Sequence, residues 1–345
     1  MLGVILVTGV SGYLGVKIAN RLIDNGHEVI GVDINRSPQL SEKVVFHTVD
    51  VRHKEQIRTA FTGNIKTVIH AAALVPITRM YNEYKSVNVQ GTQAVAEVSL
   101  EFQILNFVQI SSSSVYRATS DAPMEPNLGL NPIEPYGKSK LKAEAIVEET
   151  FRGTDISLAI VRPRTIIGPD RGGIFELFFS WISAGKPIFT IGKGDKPFQF
   201  IHVDDLVDAI LIVSHTSASG VFNVGTDRYG SLRSVFQDLI LHARSKSRVI
   251  ALPKCLTISA LFILELMKLS PLTSWHYRTL PRAFHFNISS MKNLGWSPKF
   301  SNAEMLIQAY DSYLARGGRM EHAVGSSPHS RPVKGGILSW IQKMF

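Results

Sequence analysis

The first half of the chain alternates short apolar, β-branched runs with longer stretches of helical periodicity. This is the pattern of a parallel sheet whose crossovers are helices, and continuous apolar runs suit strands covered on both faces. Strands are expected at residues 4–7, 28–32, 44–49, 67–70, 107–111 and 157–162. Helices are expected at 13–24, 54–61, 84–100 and 136–151, the first stopped by Asn25-Gly26. After Pro163 the pattern loosens: a helix near 175–183, a glycine-rich turn at 192–194, an apolar strand at 200–203 and a helix opening at Asp204-Asp205. Residues 221–224 read as a strand returning to the main sheet, and 231–315 as mostly helical.

The fold class expected is α/β, a Rossmann-like doubly wound parallel sheet with a smaller, mostly helical C-terminal domain. Residues 1–163 plus about 198–226 form the dinucleotide-binding part. Residues about 164–197 plus 227–315 form the substrate part. Gly, Ser, His and Arg dominate 316–336, a flexible linker, and in the amphipathic tail that ends the 316–345 stretch Ile337, Ile341 and Phe345 recur every four residues. Such a tail docks on protein or touches a lipid surface. The apolar stretch 256–267 is about half the roughly 20 residues of a spanning helix and contains Glu265, so a buried helix is expected there.

The first strand runs into Thr8, Gly9, Val10, Ser11, Gly12, Tyr13, Leu14 and Gly15. Strand, glycine turn and helix in that order make a phosphate-binding loop. Gly9 permits the turn, Gly12 lets a pyrophosphate approach the backbone, and Gly15 lets helix pack on strand. The helix N-terminus offers unpaired N–H groups to the pyrophosphate. Asp33 ends the second strand, 18 residues past Gly15, where a carboxylate accepts hydrogen bonds from a ribose and repels a 2′-phosphate. NAD is therefore favoured over NADP, with Arg36 nearby as the argument for the latter.

Tyr136 and Lys140 open a long helical pattern, and four-residue spacing puts them on one face. A free tyrosine titrates near 10, too high for easy proton exchange at neutral pH; a nearby ammonium and an oxidised nicotinamide favour the phenolate. The run Ser111 to Ser114 follows the fifth strand, at the sheet edge where ligands sit, and supplies hydroxyls for the reacting oxygen. This constellation is that of reversible hydride transfer at a carbinol or ketone carbon.

Composition narrows the alternatives. With 45% hydrophobic and 19% charged residues the chain is globular. The single cysteine, Cys255, excludes an internal disulfide and a cysteine-rich metal cluster, and no metal is expected. The net charge of +9 is scattered, with no basic helix, so nucleic acid is not an expected partner. The first residues lack the basic start of a secretory signal, and a cytoplasmic location is expected, with peripheral membrane contact through the tail left open.

Together these residues resemble the extended short-chain dehydrogenase/reductases, the NAD-dependent epimerase/dehydratase family, over about residues 4–315. Beyond the glycine loop and Asp33, the resemblance rests on Asp50-Val51, His70-Ala71-Ala72-Ala73, Asn88 with Gly91-Thr92, Ser111 to Tyr116, and Tyr136 with Lys140. It continues through Arg162-Pro163, Gly168-Pro169, His202 to Asp205, Asn223-Val224-Gly225 and Leu294-Gly295-Trp296. It implies Ser112, Tyr136 and Lys140 as catalytic, with Ser111 and Ser113 as fallbacks. Asp50 and Val51 then lie by the adenine, Ala71, Ala72 and Ala73 form a cofactor loop, Asn88 steadies the site, and the nicotinamide lies near Pro163.

Departures from the family narrow the reaction. Sugar-nucleotide 4,6-dehydratases carry an Asp-Glu pair where this chain has Ser113 and Ser114, and the Cys-His pair of deoxysugar epimerase-reductases has no counterpart. Simple oxidation and reduction, of the epimerase type, is what remains. An asparagine common after the sixth strand is replaced in the run Pro163-Arg164-Thr165, and a phosphate-binding arginine by Phe198. Ser113, Ser114, Arg164 and Phe198 are thus the substrate candidates. A nucleotide sugar is the first expectation; a hydrophobic alcohol, as in the 3β-hydroxysteroid branch, is the alternative, and a non-catalytic NAD-binding scaffold the third. A homodimer of such a fold would use the helices at 84–100 and 136–151.

Overall fold

The computed structural model describes residues 3–75, 81–117, 121–171, 174–267 and 274–318. Its strands are β1 (Val4–Thr8), β2 (Val29–Asp33), β3 (Val45–Thr48), β4 (Ile65–His70), β5 (Asn106–Ile110), β6 (Ser157–Pro163) and β7 (Thr165–Ile167). Then come β8 (Ile188–Ile191), β9 (Pro197–Phe198), β10 (Phe200–His202), β11 (Gly220–Val224), β12 (Gly230–Ser231) and β13 (Val249–Leu252). The helices of the first half are α1 (Tyr13–Asp24), α2 (Lys54–Ala60), α3 (Tyr81–Tyr84), α4 (Thr92–Glu101) and α5 (Pro135–Thr150). Those of the second are α6 (Ile174–Ser183), α7 (Val203–His215), α8 (Leu232–His242), α9 (Lys254–Leu266), α10 (Ser274–Thr279), α11 (Ser289–Asn293) and α12 (Asn302–Ala315).

Seven strands form one parallel sheet in the order β11-β6-β5-β4-β1-β2-β3, the doubly wound arrangement expected. Alternate residues of each strand feed two cores. Ile5 and Val7 belong to one, Leu6 to the other; Ile69 and Val108 oppose Val68 and Phe107 in the same way. Helices α1 and α7 cover one face, while α2, α4 and α5 pack as a row on the other. Strand order reverses between β1 and β4, so the crevice at their C-terminal ends is the natural ligand position.

Motifs far apart in sequence prove to be partners. Asp205 Oδ2 accepts from the Lys299 and Phe300 N–H groups, and Trp296 Nε1 donates to the Asp205 carbonyl. Tyr116 donates to Asn223 Oδ1 at 2.8 Å, and Asn223 Nδ2 to the Met124 carbonyl.

The strand expected at 200–203 forms as β10 and pairs with β7, outside the main sheet. The structure corrects two local expectations. The helix expected over 84–100 is not uniform, because Lys85–Gly91 is a π-helical turn between α3 and α4. The helix at 256–267 forms but is not buried; α9 has no buried residue. Its apolar pattern lacked the polar face that marks a surface helix, and a pattern alone cannot show how little of it the neighbouring elements cover. The linker and tail, after Gly318, lie outside the described residues.

Candidate active site

The glycine turn is forced by space. Gly9 has φ +67°, and a Cβ there would stand 2.6 Å from the Ala72 nitrogen. A Cβ at Gly15 would stand 2.1 Å from the Gly9 carbonyl oxygen, so α1 seats directly on the turn. Gly12 caps α1 with no side-chain hydrogen bond, leaving the helix N-terminus to a ligand. Tyr13 donates to the Pro169 carbonyl at 2.9 Å and Leu14 packs on the core, tying the turn to the segment after β7.

Asp33 faces this turn. Its Oδ2 accepts the Ser11 N–H at 3.0 Å and its Oδ1 the Ile34 N–H; burial raises its pKa against these bonds. Arg36, by contrast, donates to the Ser41 and Val44 carbonyls and stacks on Phe46. That guanidinium is already engaged, whereas the Asp33 carboxylate faces the glycine turn. Asp50 is paired with Arg52, and Val51 packs on Gly91.

At the crevice, Thr8 and His70 bond side chain to side chain at 2.6 Å across β1 and β4, and Thr92 meets the other ring nitrogen at 3.0 Å. Burial, with the Lys140 charge, lowers the His70 pKa to about 3, so the ring is neutral. Ala71 and Ala72 donate their N–H groups to Thr8, and Ala73 follows in the same loop. Asn88, in the π-helical turn, clamps Leu74 through both backbone groups and donates to Ser139 Oγ at 3.0 Å. The wide turn thus joins the loop after β4 to α5, across the fold.

Tyr136, Ser139 and Lys140 sit on the buried side of α5. Ser112 stands beside the Tyr136 phenol. Burial pushes that phenol up to about 12, with Ser112 and the Arg171 charge acting downward and Tyr84 upward. Lys140 Nζ donates to the Ile110 carbonyl at 2.8 Å, and burial lowers it to about 8, partly offset by Glu144. The cation that acts on Tyr136 in this geometry is Arg171, which also lies over the Tyr13 ring at 5.2 Å. Tyr136 is therefore on the same sheet edge as the glycine turn.

The serine run divides its labour. Ser111 donates to Glu144, while Ser112 meets Tyr136 and also donates to Ser114 Oγ at 3.1 Å. Ser113 and Ser114 are buried, and a Cβ at Gly137 would stand 2.2 Å from the Ser114 carbonyl oxygen, so the loop is pressed onto α5. Behind it is a cluster that sequence reasoning missed. Glu144 takes two bonds from Arg162, at 2.9 and 2.6 Å, and Arg162 Nη1 reaches Tyr116 Oη and the Pro126 carbonyl. The four-residue spacing of Lys140 and Glu144 was the available signal.

Pro163 ends β6 beside Val224 of β11. Arg164 turns into a cage of Phe198, Phe284 and Phe286, with ring centroids at 5.0, 4.0 and 5.5 Å. Its Nε donates to the Gln199 carbonyl, but Nη1 and Nη2 have no partner among the described residues. Burial draws its pKa well down.

A family model described as the NAD dependent epimerase/dehydratase family matches residues 5–225. The uncharacterized protein y4nG of Sinorhizobium fredii is 34% identical, over 97% of this chain and 85% of its own length. A putative UDP-glucose 4-epimerase of Methanocaldococcus jannaschii is 28% identical over 69% of this chain and 81% of its own. Among solved structures, the UDP-glucose 4-epimerase of Thermotoga maritima, crystallised with UDP-glucose, superposes with a TM-score of 0.74 at 23% identity, covering 91% of this chain and 99% of that one. With the model match spanning more than half of the chain and the glycine turn, Ser112, Tyr136 and Lys140 gathered at one sheet edge, the chain belongs to the NAD-dependent epimerase/dehydratase family of extended short-chain dehydrogenase/reductases.

Proposed function

We propose that the protein is an NAD-dependent oxidoreductase of nucleotide sugars, of the epimerase type, in which a carbinol carbon is oxidised and the resulting ketone reduced again. The observation that carries this is the placement of Ser112 beside the buried Tyr136 phenol, with Lys140 on the same face of α5, at the sheet edge that also holds the glycine turn. The residues fit NAD: the turn at Gly9, Ser11, Gly12, Tyr13, Leu14 and Gly15 receives the diphosphate, Asp33 the adenosine ribose, and Asp50 and Val51 the adenine. Ala71 to Ala73, Asn88 and Pro163 line the nicotinamide end. When bound, NAD supplies the hydride acceptor and returns the hydride.

The chain's own groups move the proton and hold the oxygen. Tyr136 takes the hydroxyl proton as hydride leaves carbon, and gives it back on reduction. Ser112 donates a hydrogen bond to the reacting oxygen. Lys140, fixed by the Ile110 carbonyl, sets the nicotinamide ribose, and the Arg171 charge favours the phenolate. Ser113 and Ser114 stand where a dehydratase needs carboxylates, which supports epimerase-type chemistry. Arg164, caged with Phe198 and holding two unpartnered nitrogens, is the cation we assign to the substrate's phosphates.

The test is a screen of UDP- and GDP-sugars, with sterol-like alcohols as the contrasting set, for thermal stabilisation of NAD-loaded protein, followed by turnover of the hits. A nucleotide sugar should stabilise and be epimerised, and Tyr136→Phe should lose on the order of 10²–10⁴ in rate while still binding NAD. Stabilisation by sterol-like alcohols alone would replace this substrate class; NAD binding with full turnover in Tyr136→Phe would remove Tyr136 from the chemistry.

A further inference from the structure

Helix α9 carries one of the largest exposures of apolar side chains on the molecule. Leu256 is 73% exposed, Leu266 69% and Ile263 55%; Phe262 and the adjoining Met267 are exposed as well. Leu256, Ala260, Ile263 and Met267 recur at helical spacing, and Phe262 and Leu266 widen the stripe they form along the 13-residue helix. Isolated exposed apolar residues are ordinary; a contiguous stripe marks a surface that something covers. The helix's one carboxylate, Glu265, accepts the hydroxyl of the buried Tyr277 at 2.5 Å.

Charge identifies the occupant. Lys254 opens α9, and a Cβ at Gly192 would stand 3.8 Å from the Lys254 Cβ, so the Gly192 turn lies against it. Exposed Lys193 is the next residue, and its carbonyl accepts Arg233 Nε at 2.8 Å. Three cations therefore gather at the N-terminal end of the stripe. The acid nearest them in sequence, Asp195, lies beside Lys196, whose ammonium bonds Asp121. Among the described residues no helix is long and apolar enough to cross a membrane. An apolar stripe with a cationic end instead matches a helix lying in the plane of an anionic lipid surface.

We propose that α9 docks the protein on an anionic phospholipid bilayer, with the stripe among the acyl chains and Lys193, Arg233 and Lys254 at the headgroups. This inference stands independently of the substrate class proposed above. The opposite side of α9 is anchored to the protein: Tyr277 holds Glu265 there and also feels the charge of Glu134, the residue that precedes α5.

The chain's single cysteine provides the test without a substitution, because Cys255 is exposed in the first turn of α9. An environment-sensitive dye on Cys255 of the full chain should shift to the blue with phosphatidylglycerol-containing vesicles and not with phosphatidylcholine alone. Unlabelled protein should float with the anionic vesicles, at least ten-fold less so as the triple variant Leu256→Ser/Phe262→Ser/Leu266→Ser, and less in 0.5 M salt. Circular dichroism and NAD binding would establish that the variant is folded. An unshifted dye overturns the proposal, as does undiminished flotation of the folded triple variant. So does flotation abolished only by Ile337→Ser/Ile341→Ser/Phe345→Ser, which would give the membrane to the tail. A concentration-dependent dimer that the triple variant loses, with no vesicle binding by the parent, would give the stripe to a second copy and equally end it.

Discussion

Arg162 and Arg164 stand two residues apart and both are all but fully buried, yet their surroundings are opposite. Every nitrogen of Arg162 is met by oxygen, from Glu144, Tyr116 and Pro126. Arg164 gives one bond, from Nε, and otherwise faces three phenylalanine rings. A buried charge with its counter-charge is a fixed point, and around it Ser111, Tyr116 and the serine loop are aligned. A buried charge against π faces recovers only part of its lost hydration, so it stays receptive to an anion. One region holds the serine loop in place; the other, on our proposal, awaits the substrate.

The most severe way to break this contrast is Glu144→Gln. It strands Arg162 as an uncompensated cation and should cost about 3–5 kcal/mol of stability, read from urea midpoints at constant m-value. A loss below about 1 kcal/mol would mean that the pair is not what secures this region. Arg164→Met should behave oppositely: stability equal to or above that of the parent, with affinity for the nucleotide sugar down at least ten-fold, about 1.4 kcal/mol. Destabilisation on the scale of Glu144→Gln, with affinity unchanged, would make the two arginines alike.

Lys140 sharpens the picture through pH. Its folded pKa of about 8 lies below the ordinary 10.5, so between these values the unfolded chain holds a proton that the folded chain has released. Stability from this group therefore rises as pH goes from 8 to 10.5, and the burial penalty is present in full below 8. Lys140→Met should be more stable than the parent at pH 7, with the gap closing toward pH 10.5; a gap that does not change with pH would contradict the assignment. A last test separates two neighbouring serines. Ser111→Ala should cost about 1.5–3 kcal/mol, the range for a hydrogen bond to a charged group, and leave turnover near that of the parent. Ser112→Ala should leave stability nearly unchanged and lower turnover about 10²-fold.

Local patterns in the sequence carried much of this architecture. The glycine turn, the carboxylate at the end of β2 and the Tyr136–Lys140 spacing are legible because each is a short-range demand, a turn or a helix face that neighbouring residues satisfy. Strand limits differ from the expected ones by only a residue or two at most ends. The π-helical turn at Asn88 was not legible, since its purpose is to reach Leu74 and Ser139 across the fold. Nor could four consecutive serines disclose that Ser111 faces Glu144, although the family resemblance already pointed to Ser112 beside Tyr136.

The two apolar helices α6 and α9 mark the boundary. Both are evident from their residues, yet α6 buries Leu177, Phe179, Trp181 and Ile182 while α9 buries nothing. Periodicity and turn chemistry act over a few residues, so the chain alone determined its elements, their order and the candidate chemistry. Burial is a property of what packs against an element, often from a hundred residues away. Only the tertiary structure could decide which charges are paired, which serine meets Glu144 and which greasy face is left exposed.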